Sequence, residues 1–148
     1  DKAVIVYESV WKHTQMMAEA LAEGMGRNGI CVKIFKCSMT SPAIIQKELL
    51  DAKAVLVGSG NYNNAMAGSI AAFLEKLITC KVKNKKGLGF GSYGWANLVT
   101  KEINARLGKA GITLLNDEVV SQNYTPSEAD LDALMELGKQ IAEEIKAM

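Results

Sequence analysis

The chain has 148 residues, 49% of them hydrophobic, with 17 basic and 16 acidic side chains and a net charge of +1. That size suits one domain with a substantial core and leaves no room for a second. The near-neutral charge supplies no whole-molecule field of the kind that draws nucleic acid or an anionic membrane. No apolar run approaches the roughly 20 residues that span a bilayer, and no charged leader precedes a signal-like segment. A soluble, cytoplasmic protein is expected. Cys31, Cys37 and Cys80 are odd in number and lack the close pairing of a zinc or dithiol site, so they read as reduced, packing residues. The chain opens on Asp1 and enters a strand pattern at once, as a domain excised from a longer protein would.

Taken in order, residues 2–7, KAVIVY, form a nearly continuous apolar run, the pattern of a strand covered on both faces. Met17, Ala18, Leu21, Ala22 and Met25 then recur at helical spacing over residues 14–28, and Arg-Asn-Gly supplies a stop. Residues 30–35, ICVKIF, are rich in β-branched and aromatic side chains and read as a second strand. Ser41 as an N-cap and Pro42 at a first helical position open a short helix. AKAVLVGS, residues 52–59, is the third strand, and a helix is expected over 65–79. Strand 86–91, helix 96–110, strand 112–120 and helix 127–145 follow, the last with Leu131, Leu134, Leu137 and Ile141 on one face.

Five strands alternating with five helices predict an α/β fold: a doubly wound, three-layer sandwich on a five-stranded parallel sheet of order 2-1-3-4-5. In such sheets ligands bind beyond the carboxyl ends of the strands, at the switch point beside the first strand. The loops that meet there are ESVWKHT, SGNYNNAM and GSYGWAN. Together they hold Trp11, Tyr62, Tyr93 and Trp95, four of the six Trp and Tyr residues of the chain. Aromatics with a polar edge gather at one rim, either to cover the end of the sheet or to form a platform for a flat ligand.

The first loop, Ser9, Val10, Trp11, Lys12, His13 and Thr14, feeds the start of the first helix, where unpaired N–H groups and the helix dipole favour an anion. Ser9 and Thr14 could donate to phosphate oxygens, with Lys12 supplying charge at the edge. Singly, the two hydroxyls also read as caps, and Lys12 and His13 as solvated loop residues. In the second loop Asn61, Tyr62, Asn63 and Asn64 offer amide groups and a ring to a polar heterocycle, or simply turn chemistry. In the third, Ser92, Tyr93, Gly94 and Trp95 combine backbone groups with aromatic area. A phosphate, a polyol and a planar heterocycle would satisfy all three loops, and flavin mononucleotide (FMN) is such a molecule. Nothing after the first helix resembles a second phosphate or adenine site, so FMN is expected rather than FAD.

These motifs resemble flavodoxin-like domains over the whole chain, and ESVWKHT, GSGNYNN and FGSYGW resemble the C-terminal domain of flavodiiron proteins (A-type flavoproteins). Ser9, Trp11 and Thr14 match the first loop of that family, and Ser59, Asn63 and Asn64 match the second. Gly60 and Asn61 stand where Pro-Thr is common, and Ala96, Asn97 and Leu98 stand where small residues often follow the Trp. The resemblance implies one flavodoxin-like FMN-binding domain spanning residues 1–148 and working as an electron carrier. It would take electrons from a reduced donor such as rubredoxin and pass them to a diiron centre that reduces oxygen or nitric oxide. That centre would sit on a metallo-β-lactamase-like domain of the same parent chain or of a partner, since this sequence has one His. Trp95 and Tyr62 would pack near the flavin ring, with Ser92, Tyr93 and Gly94 at its edge. The domain would catalyse nothing alone beyond flavin redox chemistry, and a homodimer is a further partner to consider.

Two other classes fail on residues. A receiver domain needs an acidic cluster after the first strand and an Asp ending the third, where this chain has Glu8 alone and Gly58-Ser59. A dinucleotide-binding dehydrogenase needs G-x-G-x-x-G after the first strand, which ESVWKHT does not supply. The remaining alternative is a flavodoxin-like interaction module without a cofactor.

Overall fold

The computed structural model describes residues 1–93, 98–115 and 120–148. Strand β1 (Lys2–Glu8) leads to α1 (His13–Gly26), then β2 (Cys31–Lys36), a 3-10 turn (Cys37–Met39), α2 (Pro42–Leu49), β3 (Ala54–Ser59) and α3 (Gly68–Cys80). After these come β4 (Lys86–Tyr93), α4 (Val99–Lys109), β5 (Thr113–Leu114), β6 (Val120–Asn123) and α5 (Glu128–Lys146). The strands are parallel, in the order β2-β1-β3-β4-β5, with β6 also paired to β4. β1 lies between β2 and β3, Ile5 opposite both Ile34 and Leu56.

The apolar run of β1 is explained by its two faces. Ala3, Ile5 and Tyr7 enter one core layer with Met17, Leu21 and Met25 of α1 and Leu134 and Ile141 of α5. Val4 and Val6 enter the other, with Ile70 and Leu74 of α3 and Ile103 and Leu107 of α4. α1 and α5 approach so closely that a Cβ on Gly24 would meet Met135 O at 2.1 Å, and one on Gly138 would meet Leu21 O at 2.5 Å. On β4 a stripe of glycine lets α4 rest on bare backbone: a Cβ on Gly89 would meet Ile103 at 2.6 Å. The Gly89 N–H donates to Asn104 Oδ1 at 2.7 Å.

Several expected boundaries shift for local reasons. α1 ends at Gly26, because Ile30 N returns to Met25 O at 3.2 Å through Gly29 at φ 89°. α2 opens at Pro42 as expected, but the Ser41 side chain makes no capping hydrogen bond. α3 begins at Gly68 rather than 65, because the preceding residues form a tight turn. The expected start of α4 at 96 falls on residues outside those described, and the helix runs from Val99. The fifth strand is realised as two segments, β5 beside Lys86 and Gly87 and β6 beside Phe90 to Tyr93. α5 starts from a capping box in which Ser127 Oγ accepts from Asp130 N (3.2 Å) and Asp130 Oδ2 accepts from Ser127 N (2.8 Å). The cysteines depart most from expectation: Cys31 and Cys80 are exposed, and Cys37 is half-buried with its thiol donating to Ser69 O at 3.4 Å. Cys31 sits on an edge strand and Cys80 in the last residue of α3, and neither packs in the core.

No helix among the described residues is long and apolar enough to cross a membrane. At the pole where β4 begins, a cleft of about 720 Å³ is lined by Lys81, Lys83, Lys85, Lys86 and Lys109.

Candidate functional site

The carboxyl ends of β1, β3 and β4 surround a cavity of about 280 Å³ lined by Ser9, Val10, Trp11, His13, Thr14, Gly60, Asn61, Tyr62, Ser92, Tyr93 and Tyr124. Nine of the residues singled out from the sequence therefore meet on one opening. Lys12, Asn63 and Asn64 are exposed and do not line it. Gly94 and Trp95 lie outside the described residues.

The first loop presents two buried hydroxyls. Ser9 is 7% exposed and Thr14 1%, the latter in the first turn of α1, where unpaired N–H groups point outward. Thr14 Oγ1 lies 3.2 Å from Ser92 Oγ and ties this loop to the end of β4. Lys12 precedes α1 with φ 66°, a left-handed conformation that a non-glycine side chain adopts at a cost. Trp11 and Val10 are 79% and 63% exposed and form an apolar rim.

The second loop is held at both ends. Ser59 Oγ donates to Gly60 O at 2.8 Å and accepts from Ala67 N at 3.0 Å. Between them Tyr62 and Ala65 exchange hydrogen bonds of 2.8 and 3.1 Å around Asn63 (φ 55°) and Asn64 (φ 62°). Positive φ at both central positions is the two-residue hairpin turn that asparagine favours. The turn directs the pair outward, while Asn61 Oδ1 accepts from Asn64 N at 2.8 Å. Turn chemistry accounts for Asn63 and Asn64 here without a ligand.

Tyr62 carries the site's open polar position. Among the described residues its hydroxyl is the buried side-chain oxygen left without a hydrogen bond, and it stands beside the Val10 backbone without bonding geometry. Burial, and then the nearby Glu8 charge, raise the phenol above its ordinary pKa, so it stays a neutral donor. For Glu8 burial alone would raise the pKa, but hydrogen bonds from Ser38, Ser69 and the Ser9 backbone outweigh it and hold the carboxyl below the usual glutamate range.

A fourth loop, not anticipated from the sequence, completes the wall. Tyr124 follows β6 with φ 57°, and its N–H donates to Tyr93 O at 2.8 Å, carrying the pairing one residue past the strand. Thr125 Oγ1 lies 3.0 Å from His13 Nε2, joining this loop to the start of α1. The available signal was Tyr124 itself, a polar-edged aromatic just beyond a strand end.

The site has two buried hydroxyl residues in the loop and first turn that open α1, a phenol without a hydrogen-bond partner among the described residues, and two further tyrosines in its lining. Such donors suit a phosphorylated, flat, polar-edged molecule, and FMN fits them. Ser9 and Thr14 would face its phosphate, and Tyr62 and Tyr93 its ring.

Comparison with known proteins agrees. The flavodoxin pattern matches residues 5–138. The chain is 40% identical over 144 residues to a nitric oxide reductase of Moorella thermoacetica, covering 97% of this chain and 36% of that protein. Its structure superposes on the rubredoxin:oxygen oxidoreductase of Desulfovibrio gigas with a TM-score of 0.92 at 33% identity, covering 99% of this chain and 36% of the other. It also superposes on a flavodoxin from the domain Archaea with a TM-score of 0.89 at 30% identity, covering 99% of both chains. The chain thus spans about a third of the two oxidoreductases and the whole of the small flavodoxin, and corresponds to the flavodoxin-like part of flavodiiron proteins. With its parallel sheet in the order 2-1-3-4-5 and its cavity at the switch point, the chain belongs to the flavodoxin family, whose cofactor is FMN.

Proposed function

We propose that residues 1–148 form one FMN-binding electron-transfer domain that receives electrons from a reduced donor such as rubredoxin. The domain passes them to a diiron centre on another domain or chain, where oxygen or nitric oxide is reduced. The observation that carries this reading is the cavity itself: the buried residues Ser9 and Thr14, in the loop that leads into α1 and in its first turn, line one opening together with Tyr62, whose buried hydroxyl has no hydrogen-bond partner among the described residues. The similarity to a nitric oxide reductase and to a rubredoxin:oxygen oxidoreductase supports the choice of donor and acceptor.

The flavin supplies the redox chemistry when bound, and the protein supplies orientation and electrostatics. The first turn of α1 orients a phosphate through its N–H groups and the Thr14 hydroxyl. Ser92 holds Thr14 in place. Tyr62 donates a neutral phenol hydrogen to a polar edge, and the exposed Trp11 and Val10 exclude water from the rim while offering apolar surface to a redox partner.

The test is direct. The purified protein is titrated with FMN and FAD, and any endogenous flavin is extracted and compared with standards. Stoichiometric FMN binding, with FAD at least tenfold weaker, is the expected result. A predominance of FAD refutes the assignment, and a protein that takes up neither is the cofactor-less interaction module. Reduced holoprotein should then transfer electrons to a diiron-bearing partner and consume nitric oxide only in its presence.

A further inference from the structure

Glu8 ends β1 behind the cavity without lining it, its side chain 12% exposed. Its Oε2 accepts from Ser38 N at 2.8 Å and from Ser69 Oγ at 3.0 Å, while Lys36 Nζ stands 4.0 Å from Oε1. Ser38 belongs to the 3-10 turn after β2, and Ser69 is the second residue of α3. One carboxylate thus joins the end of β1, the exit of β2 and the start of α3. α3 has neither a side-chain cap nor an acidic residue in its first turn, so this carboxylate also faces the positive end of an otherwise unanswered helix. From that helix start the chain runs back through residues 60–67 to Ser59, and this segment carries Asn61 and Tyr62 into the cavity.

A glutamine would offer the same acceptor oxygen to Ser38 and Ser69 but would lose the charge set beside Lys36 and the start of α3, so the charge and the hydrogen bonds are separable. Glu8 directly precedes Ser9, which lines the cavity, and its charge also reaches the Tyr62 phenol, the group that would face the flavin in the reading above. A fixed negative charge near a group that gains electrons opposes their arrival.

We propose that Glu8 is a positioning residue for the cofactor: through Ser69 it fixes the loop that presents Asn61 and Tyr62, and through its charge it makes bound flavin harder to reduce. The inference rests on the FMN reading. The test titrates FMN and riboflavin into the wild-type protein, Glu8→Gln, Glu8→Ala and Ser69→Ala, and measures the midpoint potential of each flavin complex.

Glu8→Ala should lose at least tenfold in affinity for both flavins, and Ser69→Ala about threefold, because the loop acts on the ring that the two share. Glu8→Gln should rescue the affinity to within threefold of wild type yet raise the midpoint potential, a tenfold change in a one-electron equilibrium being about 59 mV. Wild-type affinity in Glu8→Ala overturns the proposal, as does an unchanged potential in Glu8→Gln. A loss confined to FMN, with riboflavin unaffected, also overturns it by placing the effect at the phosphate. Should Glu8→Ala fail to fold, Ser69→Ala and Glu8→Gln carry the same two readouts. A wild-type protein that binds no flavin refutes the FMN reading instead, an outcome separate from all of these.

Discussion

Thr14 Oγ1 and Ser92 Oγ lie 3.2 Å apart across 78 residues of sequence, and this one contact joins the loop after β1 to the end of β4. Both residues line the cavity, so the hydroxyl pair connects the part that would hold a phosphate to the part that would hold a ring. Thr14→Val keeps the shape and removes the hydroxyl. A hydrogen bond to a charged group contributes about 1.5–3 kcal/mol, so FMN affinity should fall about tenfold or more while riboflavin affinity stays near wild type. Fluorescence titration of both ligands measures this, and equal losses for the two would place Thr14 away from the phosphate.

Lys12 brings two separable effects to the same loop. Its positive φ opposes folding, and Lys12→Gly should stabilise the cofactor-free protein by about 0.5–1 kcal/mol, a rise of a few degrees in Tm. Lys12→Ala keeps the strain and removes only the charge. If the side chain serves a phosphate, that variant should weaken FMN more at low salt than at high salt and leave riboflavin unchanged. Equal FMN affinities at low salt would show the side chain to lie in solvent.

Trp95 is argued from the sequence alone, as the aromatic beside three glycines in GFGSYGWANL. Trp95→Ala should weaken FMN by about 1 kcal/mol or more through lost aromatic contact, with little change in the Tm of the cofactor-free protein. Unchanged affinity with a lowered Tm would make Trp95 a core residue.

Gly138 tests the scaffold without touching the site. Gly138→Ala pushes a methyl into Leu21 O and Gly24 Cα and should destabilise by about 1–3 kcal/mol through forced separation of α1 and α5. Thermal unfolding reads the loss, and FMN affinity measured well below Tm should stay within a few-fold of wild type.

Glu8 also predicts an acid limb. Its folded pKa is depressed, so its contribution to stability is present above the unfolded value, about 4.3, and is lost as pH falls through the lower folded value. Wild type should therefore lose stability relative to Glu8→Gln on acidification below about pH 4.5, with a constant difference between pH 6 and 8. Denaturant midpoints at four pH values measure it.

The sheet order was legible because buried parallel strands must be apolar on both faces and helices must supply the crossovers, as β1 with its two core layers shows. The loops of the cavity were legible because chemistry-bearing residues cluster where such sheets bind ligands. Asn63 and Asn64 leave two readings open because the same side chains serve ligands and left-handed turns, and the backbone shows the turn. The loop with Tyr124 escapes the sequence pattern because the apolar run over 112–120 reads as one strand, whereas β6 begins at Val120 and reaches Asn123. Cys31 and Cys80 are exposed against expectation because rarity and apolarity suggest burial, while exposure depends on an edge position and a helix end.

The glycine stripe on β4 has a mechanical consequence. Helices normally resist sliding because their side-chain ridges catch in the grooves of what they pack on. At Gly89 and Gly91 the strand offers α4 no ridge, so the helix rests on a rail. The hydrogen bond from Gly89 N–H to Asn104 Oδ1 acts as the stop that fixes its travel along the strand axis. Asn104, half-buried and outside the cavity lining, thereby pins the middle of α4 to the middle of β4, the strand whose end carries Ser92 and Tyr93 into the cavity.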